Sequence, residues 1–390
     1  MKRTGAKKTL KTAAVALCLS VMACGTAFAD QSYITCQPSI EYAELENLGG
    51  GYFTNGVNIY NSYGDFIGSY DVTNIQPCGD GLFVARKSGA YGLINPKGET
   101  VADFKYEDIK KFSGGLAAVE ALEDGQSKWG FIDENGKEVI KPEYDLAGNF
   151  SDGLAPVGRS LSPYEYSIGY INEQGETVIE PEYNGASDFS EGYALVRKSD
   201  TKKMGFIDKN GNPITEFKYD DGSSFADGTA LLYSRADSAV YAVDTEGKIQ
   251  NQVKISPSAY CDFASLENDR TTEGERMVFR TEEIINYENG ETGADGSDHY
   301  HKSVFYNNRC QEISYEEYLK YKNYSEGVTI MYNDTFDKYT YADLEGNQLI
   351  DGLFDHCEPF YEGYAVVSNG DYYCGIVKNP LKEAAWNEEI

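Results

Sequence analysis

Phe112-Ser113-Gly114-Gly115-Leu116-Ala117, then Trp129-Gly130-Phe131-Ile132-Asp133, then Gly136, then Val139-Ile140-Lys141-Pro142-Glu143-Tyr144: this stretch decides the fold, because the chain writes it again. The next copy runs Phe150-Ser151-Asp152-Gly153-Leu154-Ala155, Gly169-Tyr170-Ile171-Asn172, Gly175 and Val178-Ile179-Glu180-Pro181-Glu182-Tyr183. Two spacings hold while loop lengths vary. An aromatic precedes a second aromatic by six residues, and a Gly follows three later, as in Tyr106/Phe112/Gly115, Tyr183/Phe189/Gly192, Tyr219/Phe225/Gly228, Tyr318/Tyr324/Gly327 and Phe354/Phe360/Gly363. Tyr42/Leu48/Gly51 and, more weakly, Val72/Cys78/Gly81 fit the same frame. A period of a few dozen residues predicts stacked modules.

Each module reads as three short strands. The first follows the anchor Gly, the second is Trp129–Asp133 or its equivalent, and the third ends at a Pro, which cannot donate to a ladder. Between the second and third stands a turn with Asp or Asn first and Gly fourth, at Asn95, Asp133, Asn172, Asp208, Asp244 and Asp343. Side-chain bonding to the turn's own backbone and a left-handed Gly explain that pair. The spacing lacks the carboxylate series of a calcium loop. A module this small cannot bury its apolar face alone, so eight or nine must lean together. The predicted class is all-β: tandem three-stranded β-meander repeats. The mature start supplies a third strand that the last module lacks, which predicts a β-propeller-like ring closed by complementary ends. The alternative is an open β-solenoid. The repeat domain is expected over residues 30–378, with a degenerate insert at about 253–310 and a polar C-terminal tail at 379–390. Ser314 and Glu317 are placed to cap a short helix, but Tyr318 keeps the repeat spacing, and the repeat is preferred.

The N-terminus reads as an export signal. Lys2, Arg3, Lys7, Lys8 and Lys11 precede an apolar run from Thr12 to Ala23, and Ala27-Phe28-Ala29 suits cleavage before Asp30. Residues 1–29 are therefore expected to be a signal peptide. A rival reading makes Val21-Met22-Ala23-Cys24 a lipoprotein box with Cys24 lipidated. The expected localisation is secreted or cell-surface, or lipid-anchored on the rival reading. The formal net charge is −29, and losing the leader removes five basic residues and no acidic one. Such a chain repels phosphate backbones and anionic membranes, and no transmembrane segment is expected after cleavage. Six cysteines remain: Cys36, Cys78, Cys261, Cys310, Cys357 and Cys374. An even number in an exported chain permits three disulfides. Cys357–Cys374 is the first pairing expected, with Cys36–Cys78 and Cys261–Cys310 following by proximity.

Residues 112–144 closely resemble the WG repeat, a bacterial β-repeat family whose pattern is Phe-Ser-x-Gly-Leu-Ala, Lys-Trp-Gly-Phe-Ile-Asp, a Gly-Lys turn and Val-Ile-x-Pro-x-Tyr. The resemblance covers about residues 40–252 well and 312–378 more loosely. Trp-Gly is intact only at Trp129-Gly130; elsewhere Tyr91, Ile168, Met204 or Cys374 replaces the Trp and the Gly stays. The Trp therefore reads as a packing position. The resemblance implies an interaction module and carries no catalytic residue set.

Candidate chemistry is sparse. Acids recur near the anchor Gly, at Asp80, Asp152, Glu191, Asp227, Glu326 and Glu362. They suit a cation or basic-peptide rim, or plain turn chemistry. A hydrolase, glycosidase-like, would need two of the repeated carboxylates to face each other at a ring axis. Of 32 tyrosines, those at the repeat frame read as packing. Tyr60, Tyr63, Tyr70, Tyr164, Tyr166, Tyr372 and Tyr373 fall outside it and suit a sugar- or peptide-binding surface. His299 and His301 beside Asp298 make a weak zinc pattern, and His356 stands alone. No phosphate loop, nucleophile elbow or dinucleotide fingerprint appears. No catalytic, metal or cofactor site is expected. The expected function is a non-catalytic scaffold that binds a protein or a cell-surface polymer such as glycan or peptidoglycan, with no nucleic-acid partner. Loops 158–167, 198–203 and 286–303 would carry specificity. The competing classes are the extracellular hydrolase and a structural spacer.

Overall fold

The computed structural model describes residues 33–41, 45–79, 81–256, 260–262, 278–286, 299–370 and 373–382. The leader, Cys24, Tyr42, Asp80, Asp298 and Tyr372 lie outside them, as do the side chains of Cys36, His299 and His301.

Alternating burial along short strands explains why small antiparallel sheets form. Ala117 and Val119 are buried on one face of their strand, and Leu116 and Ala118 on the other. Each sheet is thus apolar on both sides and must be sandwiched by its neighbours. Nine units result. Unit 3 is representative: Asp108–Ile109, Leu116–Glu123, Gln126–Asp133 and Glu138–Tyr144 form one antiparallel meander. The expected three strands are therefore four. The additional first strand is two residues long, too short to show a strand pattern. Unit 1 spans Glu46–Ser69, unit 2 Thr73–Tyr106, unit 4 Leu146–Tyr183, unit 5 Gly185–Tyr219 and unit 6 Asp221–Lys254. Strand Thr177–Ala186 ends unit 4 and begins unit 5, so these two share a six-stranded sheet.

The expected insert is a complete unit. Tyr260–Asp262, Val278–Asn286, His299–Asn307 and Glu312–Ile313 form unit 7. Its turn, Asn307 to Cys310, places Cys310 at φ 57, where other units have Gly. In unit 8 the helix Tyr315–Lys322 precedes the hairpin Thr329–Asn333 and Lys338–Ala342. Ser314 caps it by accepting from the Glu317 N–H, and Tyr318 is buried as the repeat frame requires. The capping signal and the repeat signal both hold.

Unit 9 closes the ring. Its sheet takes its fourth strand, Ile34–Glu41, from the start of the chain, with Ile34 opposite Val377 and Glu41 opposite Tyr373. The contact from unit 9 to unit 1 copies those between successive units. Glu362 accepts the Gly50 N–H at 2.7 Å, as Asp152 accepts Gly192 (2.7 Å), Glu191 accepts Gly228 (2.9 Å) and Glu326 accepts Gly363 (2.9 Å). Asn47 adds two bonds to the Tyr361 and Tyr364 carbonyls. The expected tail does not start at 379. Asn379 is fully buried, donates to the Glu326 carbonyl and has its N–H on the Gly363 carbonyl.

Aromatic pairs fill the joints. Phe131 meets Phe150 of the next unit at 4.8 Å between ring centroids. Tyr170 meets Phe189 at 4.8 Å, Phe206 meets Phe225 at 4.7 Å and Tyr341 meets Phe360 at 4.8 Å. The Gly of Trp-Gly persists for a separate reason. A Cβ on Gly130 would lie 2.5 Å from the Ile140 carbonyl, and one on Gly169 2.4 Å from that of Ile179.

Among the described residues the expected Cys357–Cys374 and Cys261–Cys310 disulfides are not found: Cys261, Cys310 and Cys357 are free thiols. The expected Cys36–Cys78 pair involves a side chain outside the described residues. Cys357 and Cys374 flank strand Tyr364–Ser368 opposite adjacent residues, Val367 and Ser368, and pack into different clusters. Cys261 and Cys310 share one apolar cluster, where burial pushes each thiol up to about 12. Thiols held neutral in this way act as small hydrophobes. Cys78 donates to the Lys110 carbonyl. Among the described residues no helix is long and apolar enough to cross a membrane.

Candidate functional site

A meander has two ends, and the two faces of the ring differ accordingly. One face carries the tight turns: first strand to second, and third strand to fourth. There the carboxylates near the anchor Gly are engaged. Asp152, Glu191, Asp227, Glu326 and Glu362 all hold left-handed backbones, with φ between 48 and 55, and four of them accept the next unit's N–H as described. Ser113, Ser190 and Ser325 donate to the carbonyls of Phe150, Phe225 and Phe360 in the next unit, at 2.5, 2.8 and 2.6 Å. The expected acidic rim is a set of joints between units. The Asp/Asn turns on this face behave as read: Asp133, Asn172, Asp208 and Asp244 each accept the N–H groups two and four residues on.

The other face carries the hairpins between second and third strands, and these vary. Some are tight, such as Asp124-Gly125 and Pro163-Tyr164; others are longer, as at Lys198–Lys203 between Arg197 and Met204 and at Arg235–Ser238 between Ser234 and Ala239. Exposed apolar side chains gather here: Leu122, Leu161, Tyr164, Tyr332, Phe336, Tyr339 and Tyr373. Tyr164 is 93 % exposed. Of the other tyrosines outside the repeat frame, Tyr63 is exposed on unit 1, while Tyr60, Tyr70 and Tyr166 are half-buried. The frame tyrosines Tyr106, Tyr144, Tyr183 and Tyr219 are buried. Burial pushes all four phenols up.

Beneath the hairpins lies a brace absent from the sequence reading. Lys128 pairs with Asp145, Lys203 with Asp220 at 2.7 Å, and Lys338 with Asp355, always seventeen residues apart. Each aspartate also accepts a backbone N–H from the next unit's hairpin: Ser160, Arg235 and Gly370, at 2.8, 2.9 and 2.6 Å. The hydrogen bond from its lysine, with the backbone N–H second, holds Asp145 and likewise Asp355 below the ordinary carboxylate range. For Asp220 burial is the largest influence and opposes this, but Lys203 and the Arg235 N–H prevail. At these three joints the brace ties one hairpin to the next and so steadies the platform that presents the exposed side chains. The readable signal was the Lys before the Trp position and the Asp after the frame Tyr.

The Trp position sits at the base of this face. Trp129 is half-buried between units 3 and 4, with the Lys110 ammonium 5.0 Å from its ring while that lysine donates to the Ala147 carbonyl. Tyr91, Met204 and Cys374 are likewise half-buried and Ile168 is buried, which fits packing rather than a shared ligand. His356 is exposed. Among the described residues no group of three His, Cys, Asp or Glu is placed to hold a metal.

Five stretches match the WG containing repeat: residues 91–121, 129–158, 168–201, 204–232 and 339–373. A search of curated proteins gives no match. Solved structures similar to this chain include a putative TolB from Agrobacterium tumefaciens. It is 15% identical over 51% of this chain and 89% of that one, with a TM-score of 0.29. The dihydro-heme d1 dehydrogenase NirN is 12% identical over 74% and 67%, with a TM-score of 0.38. Virginiamycin B lyase from Staphylococcus aureus is 15% identical over 71% and 95%, with a TM-score of 0.30.

Proposed function

Since the chain is a WG-repeat protein, we propose that it works as an exported, non-catalytic scaffold whose hairpin face binds a protein or a cell-surface polymer. The observation that carries this is the contrast in side chains. Exposed aromatics stand on hairpins of varied length over a braced platform, while the turn face spends its recurrent carboxylates on joints. Large, stiff aromatic side chains give contact area at low entropic cost, and a preformed platform keeps that cost low. Net charge of −29 favours neutral or basic partners over polyanions.

The test uses the mature chain and a variant with Leu161→Ser, Tyr164→Ser and Phe336→Ser, applied to glycan arrays and to isolated cell envelopes. The variant keeps its melting temperature and loses retention at least tenfold. Equal retention by both proteins would remove the hairpin face from the account. Turnover of a polymer, abolished by changing one pair of carboxylates, would replace the scaffold with the hydrolase. N-terminal analysis of the exported protein is expected to find Asp30, or a lipidated Cys24 on the rival processing route.

A further inference from the structure

We propose that the outer strand of unit 1, Phe66–Ser69, is an open edge that takes up an extended protein segment with an uncharged centre and basic ends. This surface is independent of the hairpin face. Every unit in the ring leaves one outer strand with a free row of N–H and C=O groups, a template for pairing that proteins blunt with proline or charge. Three outer strands here contain a proline, Pro38, Pro142 and Pro181, and the outer segment of unit 5, paired only through isolated bridges, contains Pro213. The outer strands of units 2, 6 and 7 carry Lys105, Lys254 and Glu312, and the bridge-paired outer segment of unit 8 carries Asp351. Phe66-Ile67-Gly68-Ser69 carries neither.

This strand is also open. Among the described residues it pairs only with Asn58–Asn61, through Ser69 opposite Asn58, Gly68 opposite Ile59 and Phe66 opposite Tyr60. Phe66 is 59 % exposed and Ile67, the extra residue at a register shift against Ile59 and Tyr60, 42 %, and Tyr63 in the preceding turn is 69 % exposed. An added strand would meet exposed apolar side chains together with the backbone row, the arrangement by which an edge recognises a peptide.

Charge selects the occupant. Asp65 stands immediately before the strand and Asp71 just after it, the latter almost fully exposed and 3.4 Å from Lys87. A second copy paired antiparallel about a two-fold axis would set each Asp65 beside the partner copy's Asp71, like charge against like. A segment with Lys or Arg at its ends and uncharged residues between meets both carboxylates favourably.

The experiment displays random ten-residue segments and selects them on the full mature chain, with counter-selection on its Ile67→Lys and Phe66→Lys variants. Circular dichroism and melting first establish that both variants fold as the parent does. Retained segments are expected to share an uncharged centre with basic flanks and to bind the parent at least tenfold more tightly than either variant. They are also expected to slow amide exchange in residues 66–69. Failure to enrich any segment on the parent over the variants, enrichment of acidic flanks, or protection elsewhere would overturn the proposal. So would a dimer of the parent that Ile67→Lys dissolves, which would make a second copy the occupant.

Discussion

The turn face and the hairpin face are built from the same strands, yet they divide the protein's tasks. On the turn face every unit presents nearly the same residues, because each turn must fit the unit beside it. Glycines meet neighbouring backbone there; a Cβ on Gly136 would stand 2.3 Å from the Val101 carbonyl of the preceding unit. On the hairpin face neighbours meet through the Lys–Asp brace below the loops and a few exposed pairs such as Lys202 with Glu165. The loops above it are free to lengthen and to change side chain. Uniformity marks where units are joined, and variation marks where the molecule is available to something else.

Substitutions of graded severity sharpen this contrast. The largest loss is expected at the turn-face joints: Phe150→Ala empties a pocket between units 3 and 4 and should cost about 3–5 kcal/mol in denaturant unfolding. Glu191→Gly is the next test, since Gly keeps the left-handed turn and removes only the carboxylate that accepts the Gly228 N–H. A loss of about 1 kcal/mol is expected, and no loss would mean that the joint is held by packing alone.

Acid acts beneath the hairpin face as well as at the turn aspartates Asp208, Asp244 and Asp343, which are also held below their ordinary value. Asp145, Asp220 and Asp355 are held below their ordinary value of 3.8. Their contribution is therefore complete above that value and disappears as pH falls through the depressed ones. Melting curves taken from neutral pH down to about pH 2.5 should show Lys203→Met losing less on acidification than the parent, by at most about 1 kcal/mol. Equal acid losses would remove the brace from the account. The smallest effect is expected at the loop tips, where Tyr164→Ser should change stability by no more than about 0.5 kcal/mol. A larger loss would turn that ring into a packing residue and blur the two faces into one.

Much of this was legible because repetition amplifies weak signals. One Asp- or Asn-x-x-Gly means little; six of them in register specify a turn. The frame tyrosines, the anchor glycines and the complementary ends were readable for the same reason. Two kinds of feature escaped. The first strand of units 3, 4, 6 and 9 is two residues long, with no room for alternation. The acids at Glu191 and Glu362 are identical in sequence to solvated turn acids, and only the neighbouring unit's N–H reveals their use. Cysteine spacing misled because Cys357 and Cys374 are close in sequence but stand opposite adjacent residues of the strand between them. The edge at Phe66–Ser69 was hidden because it is defined by what the other outer strands contain.

The pairing of Ile34–Glu41 with Tyr373–Lys378 joins residues more than 300 positions apart. Bringing such distant segments together carries the largest chain-closure cost in the molecule and tends to make folding slow. The ring is therefore unfinished until the last strand has been synthesised. Any machinery that handles an extended polypeptide, a ribosome or a translocation pore, meets this chain before its ends have found each other.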